Sequence, residues 1–312
     1  MVGIFPNTFT AEQSEILRTL LYFDVFRYPL TEAEIFENSS LSISPEKFSV
    51  ELTALIDSGF VIRKGAFIMC PGRSNADIAT RQKGNRGASD IMPVAIEFSA
   101  KIAAFPFVES VCISGSLSKN YFDEKSDIDF FIITKPGRLW LCRTFLILKY
   151  KMLPKRLKKY WCTNYFISSD DLALPDRNVF TATELAFLKP MVNFGGYKKL
   201  IDENQWYREK FPNKPPEEPK DFMYVKEGRF KRTMEWLLSG FAGSLLDNLL
   251  LKITHDHWRR KYPELSEQDF DLQYRSKKNV CKRHTRGFQN KVLKRWQELQ
   301  EQFAKTFNAS LQ

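Results

Sequence analysis

Hydrophobic positions near the start of the chain repeat at helical spacing. Residues 11–23 place apolar side chains three and four positions apart, which predicts a first helix. Pro29 interrupts this pattern. Thr31 and Glu34 then have the spacing of a capping box, which predicts a short second helix. The apolar face of the first helix consists of Ile16, Leu17, Leu20 and Leu21.

A third helix and a hairpin are predicted next. Ser44 is an N-cap type residue and Pro45 follows it at the first helical position, while Gly59 ends the helix. Apolar runs flank the Lys-Gly pair at residues 64–65, which predicts a hairpin. Three helices followed by a hairpin resemble a winged helix-turn-helix. The resemblance implies a winged-helix-like domain over residues 1–72.

The middle of the chain has the pattern of a small sheet with helices. Residues 71–90 are rich in Gly, Arg, Asn and Lys, which predicts a linker or mobile loop whose cations, among them Arg81, are solvated. Beyond it the order helix, strand, strand, helix, strand predicts a compact unit of helices on a sheet. These elements are predicted at residues 91–104, 107–113, 127–134, 139–153 and 161–167.

From Thr181 onward the pattern predicts helices, divided by a proline-rich connection at residues 211–216. The longest apolar stretch, residues 236–253, contains Asp247 and Lys252 and is interrupted by glycines. It favours a buried or interfacial helix over a membrane span.

The net charge of +10 changes the picture, because a basic surface favours polyanions such as nucleic acid, nucleotides or anionic lipid. Cations concentrate between Tyr274 and Trp296, a run that includes Arg286 and has no acidic residue. With Tyr274, Phe288 and Trp296 as stacking groups, this run could form a nucleic-acid surface. Aromatic residues at this spacing are more often part of a helix core.

The five cysteines are scattered and form no C-x-x-C pair, which is typical of a reducing compartment. The first six residues lack a basic segment followed by an apolar core, so no signal peptide is predicted. Without a predicted membrane span, the chain is expected in the cytoplasm.

Candidate chemistry lies in residues 114–130. A buried strand is predicted to end at Gly115, where a glycine lets the backbone approach a phosphate closely and Ser116 adds a hydroxyl donor. Asp127 and Asp129 are two apart on the next predicted strand and therefore project to the same face. Two adjacent carboxylates repel each other unless a cation lies between them. Mg²⁺ fits, because it takes one or two carboxylates together with substrate phosphates.

These residues resemble the nucleotidyltransferase domain of the DNA polymerase beta superfamily, which carries a Gly-Ser pair, a spacer and then Asp-x-Asp. The spacer here is residues 117–126. The resemblance implies that Gly115 and Ser116, with Ser118 and Lys119 beside them, bind the phosphates of a nucleoside triphosphate. Asp127 and Asp129 would bind Mg²⁺, or Mn²⁺ in its place. The reaction implied is transfer of a nucleoside monophosphate to an acceptor hydroxyl with release of pyrophosphate.

The resemblance also implies the fold class. It is α+β, with a small mixed-sheet nucleotidyltransferase fold over residues 73–175. An N-terminal winged helix precedes this fold, and a helical, basic C-terminal region over residues 176–312 follows it. The sequence resembles bacterial proteins that combine such a domain with an N-terminal winged helix. The acceptor and the oligomeric state are not predicted.

One position departs from the family pattern. The family supplies a third carboxylate from a later strand, and here the inward position of that strand holds Asn164. An amide is neutral and cannot take a proton, and Asp170 and Asp171 follow the strand. Two hypotheses therefore stay open. One is an enzyme with Asp127, Asp129 and Asn164 at its catalytic centre. The other is a catalytically weak or inactive nucleotide-binding regulator that contacts DNA through the winged helix.

Overall fold

The computed structural model describes residues 9–218, 225, 227–283 and 287–311. Three helices and a small sheet form its N-terminal unit. Thr10 and Thr31 each close a capping box, and Ser44 caps the third helix, so the predicted helices and hairpin are confirmed. The winged-helix relationship stays a prediction, and residues 1–8 lie outside the described range. The elements are α1 (Ala11–Asp24), β1 (Leu30–Thr31), α2 (Glu32–Asn38), α3 (Pro45–Asp57), β2 (Ile62–Lys64) and β3 (Phe67–Met69), with the antiparallel sheet order β1-β3-β2.

The predicted linker at residues 71–90 is wrong, because residues 75–90 form the first half of the long helix α4 (Asn75–Ala103). Its glycines are explained by close packing. A Cβ on Gly84 would overlap the ring of Tyr121, and one on Gly87 would overlap the carbonyl oxygen of Phe122. Glycine here therefore permits contact between a helix and a neighbouring segment, not a turn.

Arg81 on α4 is buried, not solvated as predicted. Its guanidinium pairs with Glu34 of α2 at 2.5 Å and lies over the ring of Tyr28 at 4.4 Å. This buried ion pair ties α4 to the N-terminal unit.

A five-stranded mixed sheet forms the centre of the molecule. Its order is β7-β4-β5-β6-β8, with β5 and β6 parallel and the other neighbours antiparallel. The predicted strands and helix of this part are confirmed, as is the α+β class with a mixed sheet. The elements are β4 (Val108–Ser114), α5 (Gly115–Ser118), β5 (Asp129–Thr134), α6 (Leu139–Met152), β6 (Cys162–Ser168), β7 (Lys189–Val192) and β8 (Val280–Lys282).

The prediction of helices alone beyond Thr181 is wrong in part, since β7 and β8 form the two edges of the sheet. Both strands are too short for a periodic pattern, and Pro190 in β7 is tolerated because an edge strand leaves one side unpaired. The sheet therefore draws on residues beyond 175. The helices of this part are α7 (Val179–Ala186), α8 (Phe194–Glu203), α9 (Arg229–Leu237), α10 (Phe241–Lys261), α11 (Glu267–Tyr274) and α12 (Phe288–Phe307), with 3-10 turns at Lys155–Tyr160 and Gln205–Glu209.

Buried apolar side chains cover both faces of the sheet. One face packs against α4 and α6, the other against α7 and α8. A separate core in the N-terminal unit includes three residues of α12, so the last helix packs on α1. Those residues are Val292, Leu299 and Phe303.

Two of the three rings predicted as nucleic-acid stacking groups belong to this packing. Tyr274 is buried and stacks on Tyr262 with 4.4 Å between ring centroids. The indole N–H of Trp296 donates to the carbonyl oxygen of Arg18. Phe288 is half exposed, and Arg286 lies outside the described residues. The alternative of a helix core describes Tyr274 and Trp296 better.

Among the described residues, no single helix is long and apolar enough to cross a membrane. The pair α9 and α10 meets the length and composition criteria together, but the two helices are bent by 94° at the break between them.

Candidate active site

Gly115 directly follows the strand β4 and lies against Asp129. The register of the sheet pairs Ser114 with Asp129. Gly115 has a φ of +69°, which disfavours any other residue, and a Cβ at this position would overlap the carboxylate of Asp129. The bend and the acid are therefore brought together by strand pairing, as the sequence predicted.

The single turn α5 follows the bend. Leu117 is fully buried and anchors the turn. Ser118 is also buried, and its hydroxyl donates to the carbonyl oxygen of Gly115 at 2.9 Å, so it closes the turn. Ser116 is partly exposed and lines the adjoining cavity. Of the two serines, Ser116 is the better placed to contact a ligand.

Asp127 and Asp129 lie at the same site, although only Asp129 is in the strand. Asp127 precedes β5 by two residues, so the prediction of both on one strand is wrong in that detail. The alternation holds nevertheless, because Ile128 and Phe130 are fully buried while the two aspartates line the cavity. Both carboxylates are thus on the side of the Gly115 bend.

The environment disfavours negative charge on these acids. Burial, together with the negative charges of Glu184 and Asp127, raises the pKa of Asp129 to about 7. Burial also raises the pKa of Asp127, and the ammonium group of Lys159 opposes that shift. A pair of carboxylates held this close is stabilised by a cation.

The donor set fits a hard divalent cation. No group of three or more His, Cys, Asp or Glu side chains with metal-binding geometry occurs among the residues that the structure describes. Two carboxylates are nevertheless what Mg²⁺ commonly takes from a protein, because it completes its octahedral shell with water and substrate phosphates. Asp127 and Asp129 could hold such an ion.

Asn164 contacts Asp129 from the neighbouring strand β6. Its amide nitrogen donates to the carboxylate of Asp129, and its oxygen accepts from the thiol of Cys162 at 3.1 Å. The register between β5 and β6 shifts at this point, so that Asn164 is left between two paired positions. Such bulges redirect side chains next to active sites. The predicted inward position of Asn164 agrees with this arrangement.

The two aspartates after β6 do not reach the site. Asp170 accepts from the hydroxyl of Ser168, and Asp171 accepts from the side chain of Asn279 at 3.1 Å. Neither lines the cavities around Gly115. Among Asn164, Asp170 and Asp171, only Asn164 contacts Asp129 and lines a cavity next to Gly115.

Sequence reasoning missed Glu184, which belongs to α7. One carboxylate oxygen accepts from the backbone N–H of Gly115 at 3.3 Å, and the other pairs with Lys119 at 2.7 Å. Lys119 also donates to the carbonyl oxygen of Gly115 at 3.0 Å. No local motif marks Glu184, because folding brings it close to the bend from a distant part of the chain.

Two cavities meet at Gly115, Asp127, Asp129 and Glu184. One, of about 620 Å³, extends toward the N-terminal unit, and the other, of about 500 Å³, extends toward β8. Volumes of this size are ordinary for small-molecule sites. Aromatic rings from α1 and its following turn line the first cavity, namely Tyr22, Phe23, Phe26 and Tyr28. The second includes Asn164, Lys282 and Arg283.

Comparison with known proteins agrees with this geometry over part of the chain. Residues 98–193 match the model of the nucleotidyltransferase domain family. The match contains the Gly115 bend, both aspartates, Asn164 and Glu184. Searches of curated proteins and of solved structures gave no match. The match therefore supports a nucleotidyltransferase domain and, in general terms, a transferase of nucleoside monophosphates.

Proposed function

We propose that this protein transfers a nucleoside monophosphate from a nucleoside triphosphate to an acceptor hydroxyl, with Mg²⁺ as cofactor and release of pyrophosphate. The observation that carries the proposal is the direct contact of the Gly115 backbone with Asp129, with Asp127 beside it. This arrangement joins a phosphate-accepting bend to a pair of metal-binding carboxylates. The family match over residues 98–193 supports it independently.

The chain's own residues have distinct roles in this proposal. Asp127 and Asp129 hold the metal, which neutralises phosphate charge and activates the acceptor oxygen when bound. The backbone of Gly115 and the hydroxyl of Ser116 bind the terminal phosphates. When the triphosphate binds, the ammonium group of Lys119 exchanges its ion pair with Glu184 for one with the phosphates, because carboxylate and phosphate are both anionic.

Pyrophosphate release is the direct test. The full chain with each nucleoside triphosphate and Mg²⁺ is expected to release pyrophosphate in the presence of a suitable acceptor. Asp127→Asn and Asp129→Asn are expected to abolish the release, while Asp170→Asn, outside the site, leaves it unchanged. Equal release by the wild type and both site variants would contradict the proposal.

A second candidate, a nucleotide-binding regulator without turnover, is favoured by Asn164. Its amide donates to Asp129 and cannot accept a proton from the attacking hydroxyl. Thermal unfolding with each triphosphate, with and without Mg²⁺, separates the two. Mg²⁺-dependent stabilisation without pyrophosphate release would support the regulator, and stabilisation with release would support the enzyme.

DNA binding by the N-terminal unit belongs to the second candidate. The helix α3 is net acidic, because it contains Glu46, Glu51 and Asp57, and its one basic residue, Lys47, is paired with Glu12. A duplex bound through phosphates would dissociate as salt rises. Binding of the full chain to duplex DNA at low salt, with a steep loss on salt addition, would support this role; absence of binding would remove it.

A further inference from the structure

The bent helix pair α9–α10 presents an apolar outer face. Along α10, side chains spaced four residues apart lie on one side of the helix and are 51% to 79% exposed. Near the bend, Trp236 and Leu237 of α9 are 76% and 52% exposed. Soluble proteins rarely leave so many large apolar side chains together on one element. The α10 residues are Phe241, Leu245, Leu249 and Ile253.

Polar groups anchor the opposite face of these helices. The buried ammonium group of Lys231 donates to the carbonyl oxygens of Ala103 and Val108 at 3.1 and 2.7 Å. Glu235 accepts from the backbone of Phe107 at 2.7 Å, and Asp247 accepts from the backbone of Leu141 at 2.8 Å. The helix pair is therefore held firmly by its polar side, and the apolar side faces outward.

Arg138 fixes the bend itself. Its guanidinium donates to the carbonyl oxygens of Leu238, Ser239 and Gly240. At the same place a Cβ on Gly243 would overlap the carbonyl oxygen of Leu238. These contacts satisfy the carbonyl oxygens of the three residues between α9 and α10 and give the exposed aromatic residues at the bend a fixed position.

Charge indicates the occupant of the outer face. The acidic residues between positions 229 and 253 are Glu235 and Asp247, and both are turned inward. The exposed charged residues of this stretch are cations, namely Arg229, Arg232 and Lys252. A second copy of the same face would bring like charges together. An anionic surface would instead pair with these cations while its apolar interior accepts the side chains.

We propose that the outer face of α9 and α10 binds the surface of an anionic lipid bilayer. Trp236 and Phe241 enter the boundary between headgroups and acyl chains, where aromatic side chains are favoured. Arg229, Arg232 and Lys252 contact the lipid phosphates. The 94° bend prevents one straight span, whereas both helices can lie in the plane of the membrane.

Vesicle co-sedimentation of the full chain tests the apolar part. The protein is expected to bind vesicles of phosphatidylcholine with equimolar phosphatidylglycerol, and to bind pure phosphatidylcholine much more weakly. Trp236→Ser combined with Phe241→Ser should lower the affinity by about tenfold or more, because two large side chains no longer leave water. Val50→Ser removes an apolar side chain that is 67% exposed on α3, and it should not change binding.

Charge reversal tests the electrostatic part. Arg232→Glu with Lys252→Glu should lower the affinity for the anionic vesicles by about tenfold, since each cation near such a surface contributes on the order of 1 kcal/mol. Lys198→Glu with Lys199→Glu changes the net charge equally, at exposed positions of α8, and should have little effect.

Three results would overturn the proposal. One is equal binding to neutral and anionic vesicles. Another is no binding to either kind. The third is a lipid-free dimer in sedimentation velocity that Trp236→Ser with Phe241→Ser dissociates, because the face would then be an interface between copies. A melting temperature close to that of the wild type shows, for each variant, that a loss of binding does not come from a loss of fold.

Discussion

At the scale of single residues, the site depends on a glycine that satisfies two requirements at once. Gly115 has a positive φ, and its missing Cβ leaves room for the carboxylate of Asp129. Gly137 also has a positive φ, +63°, but has open space around it. Comparing substitutions at Gly115 and Gly137 therefore distinguishes the effect of backbone strain from the effect of filling the space next to Asp129.

Gly115→Ala is expected to destabilise the protein and to abolish Mg²⁺-dependent nucleotide binding, because the new methyl group displaces Asp129. Gly137→Ala introduces backbone strain without a steric overlap. It should lower the free energy of unfolding by about 1–2 kcal/mol and leave nucleotide binding unchanged. Thermal unfolding with and without nucleotide and Mg²⁺ measures both effects. Normal nucleotide binding by Gly115→Ala would contradict the proposed position of the phosphates.

The raised pKa of Asp129 predicts a pH dependence of stability. Its pKa is 3.8 as a reference and about 7 in the fold. Between these values the native state binds more protons than the unfolded chain, so this group lowers the free energy of unfolding as pH rises. Without metal, Asp129→Asn should raise Tm by about 2–4 °C at pH 8 and change it little at pH 4.

The same shift predicts how metal affinity depends on pH. Mg²⁺ requires the ionised carboxylate, so its affinity should increase as pH rises through about 7. Glu184→Gln removes a negative charge that raises the pKa of Asp129, so it should move this midpoint to lower pH. Asp90→Asn, an exposed change on α4, serves as the control. An affinity independent of pH would exclude Asp129 as a ligand.

At the scale of elements, glycine has opposite effects in two helices. In α4, Gly84 and Gly87 allow contact with Tyr121 and Phe122. Gly195 in α8 meets only ordinary contact distances, with Asn193 at 3.5 Å. Gly84→Ala should therefore lower Tm, whereas Gly195→Ala should stabilise by about 0.5–1 kcal/mol through helix propensity. Thermal unfolding of both variants checks this, and an increase in Tm for Gly84→Ala would show that Tyr121 can move away.

Sequence patterns identified elements whose signals are local. The helical spacing of apolar residues in α1, the capping box at Thr31, the Ser44-Pro45 pair and the continuous apolar strands are signals within neighbouring residues, so helices α1 to α3 and strands β4 to β6 could be predicted. The glycines of α4 wrongly indicated a loop, because they are needed for contacts with Tyr121 and Phe122, which lie far away along the chain. The edge strands β7 and β8 depend on pairing with the sheet and have almost no pattern of their own.

The candidate site also contains both features that the sequence predicted and features that it did not. The Gly-Ser bend and the two aspartates form a motif within one hairpin, so their proximity followed from the sequence. The position of Asn164 also followed, but the bulge that directs it to Asp129 did not. Glu184 reaches Gly115 from α7, and a contact between distant segments cannot be derived from spacing along the chain.

At the scale of the whole molecule, the first and last helices enclose the site from one side. The helix α12 packs on α1, and the Arg81–Glu34 ion pair joins α4 to α2. Aromatic residues from α1 and the turn after it consequently form a wall of the larger cavity. The N-terminal unit therefore has a structural reason to influence ligand binding, whether or not it contacts DNA.

Phe26 tests this influence, because its ring lines the cavity and is 45% exposed. A ring that stacks on a nucleobase or an aromatic acceptor contributes about 0.5–1.5 kcal/mol. Phe26→Ala should therefore raise the nucleotide Kd or the acceptor KM about three- to tenfold while leaving kcat nearly unchanged, since the ring is not among the charged groups around Asp129. Val50→Ala, exposed on the same unit but outside the cavity, is the matched control. If both variants bind and turn over like the wild type, the N-terminal unit only supports the fold, and the ligand lies wholly on the sheet side of the bend.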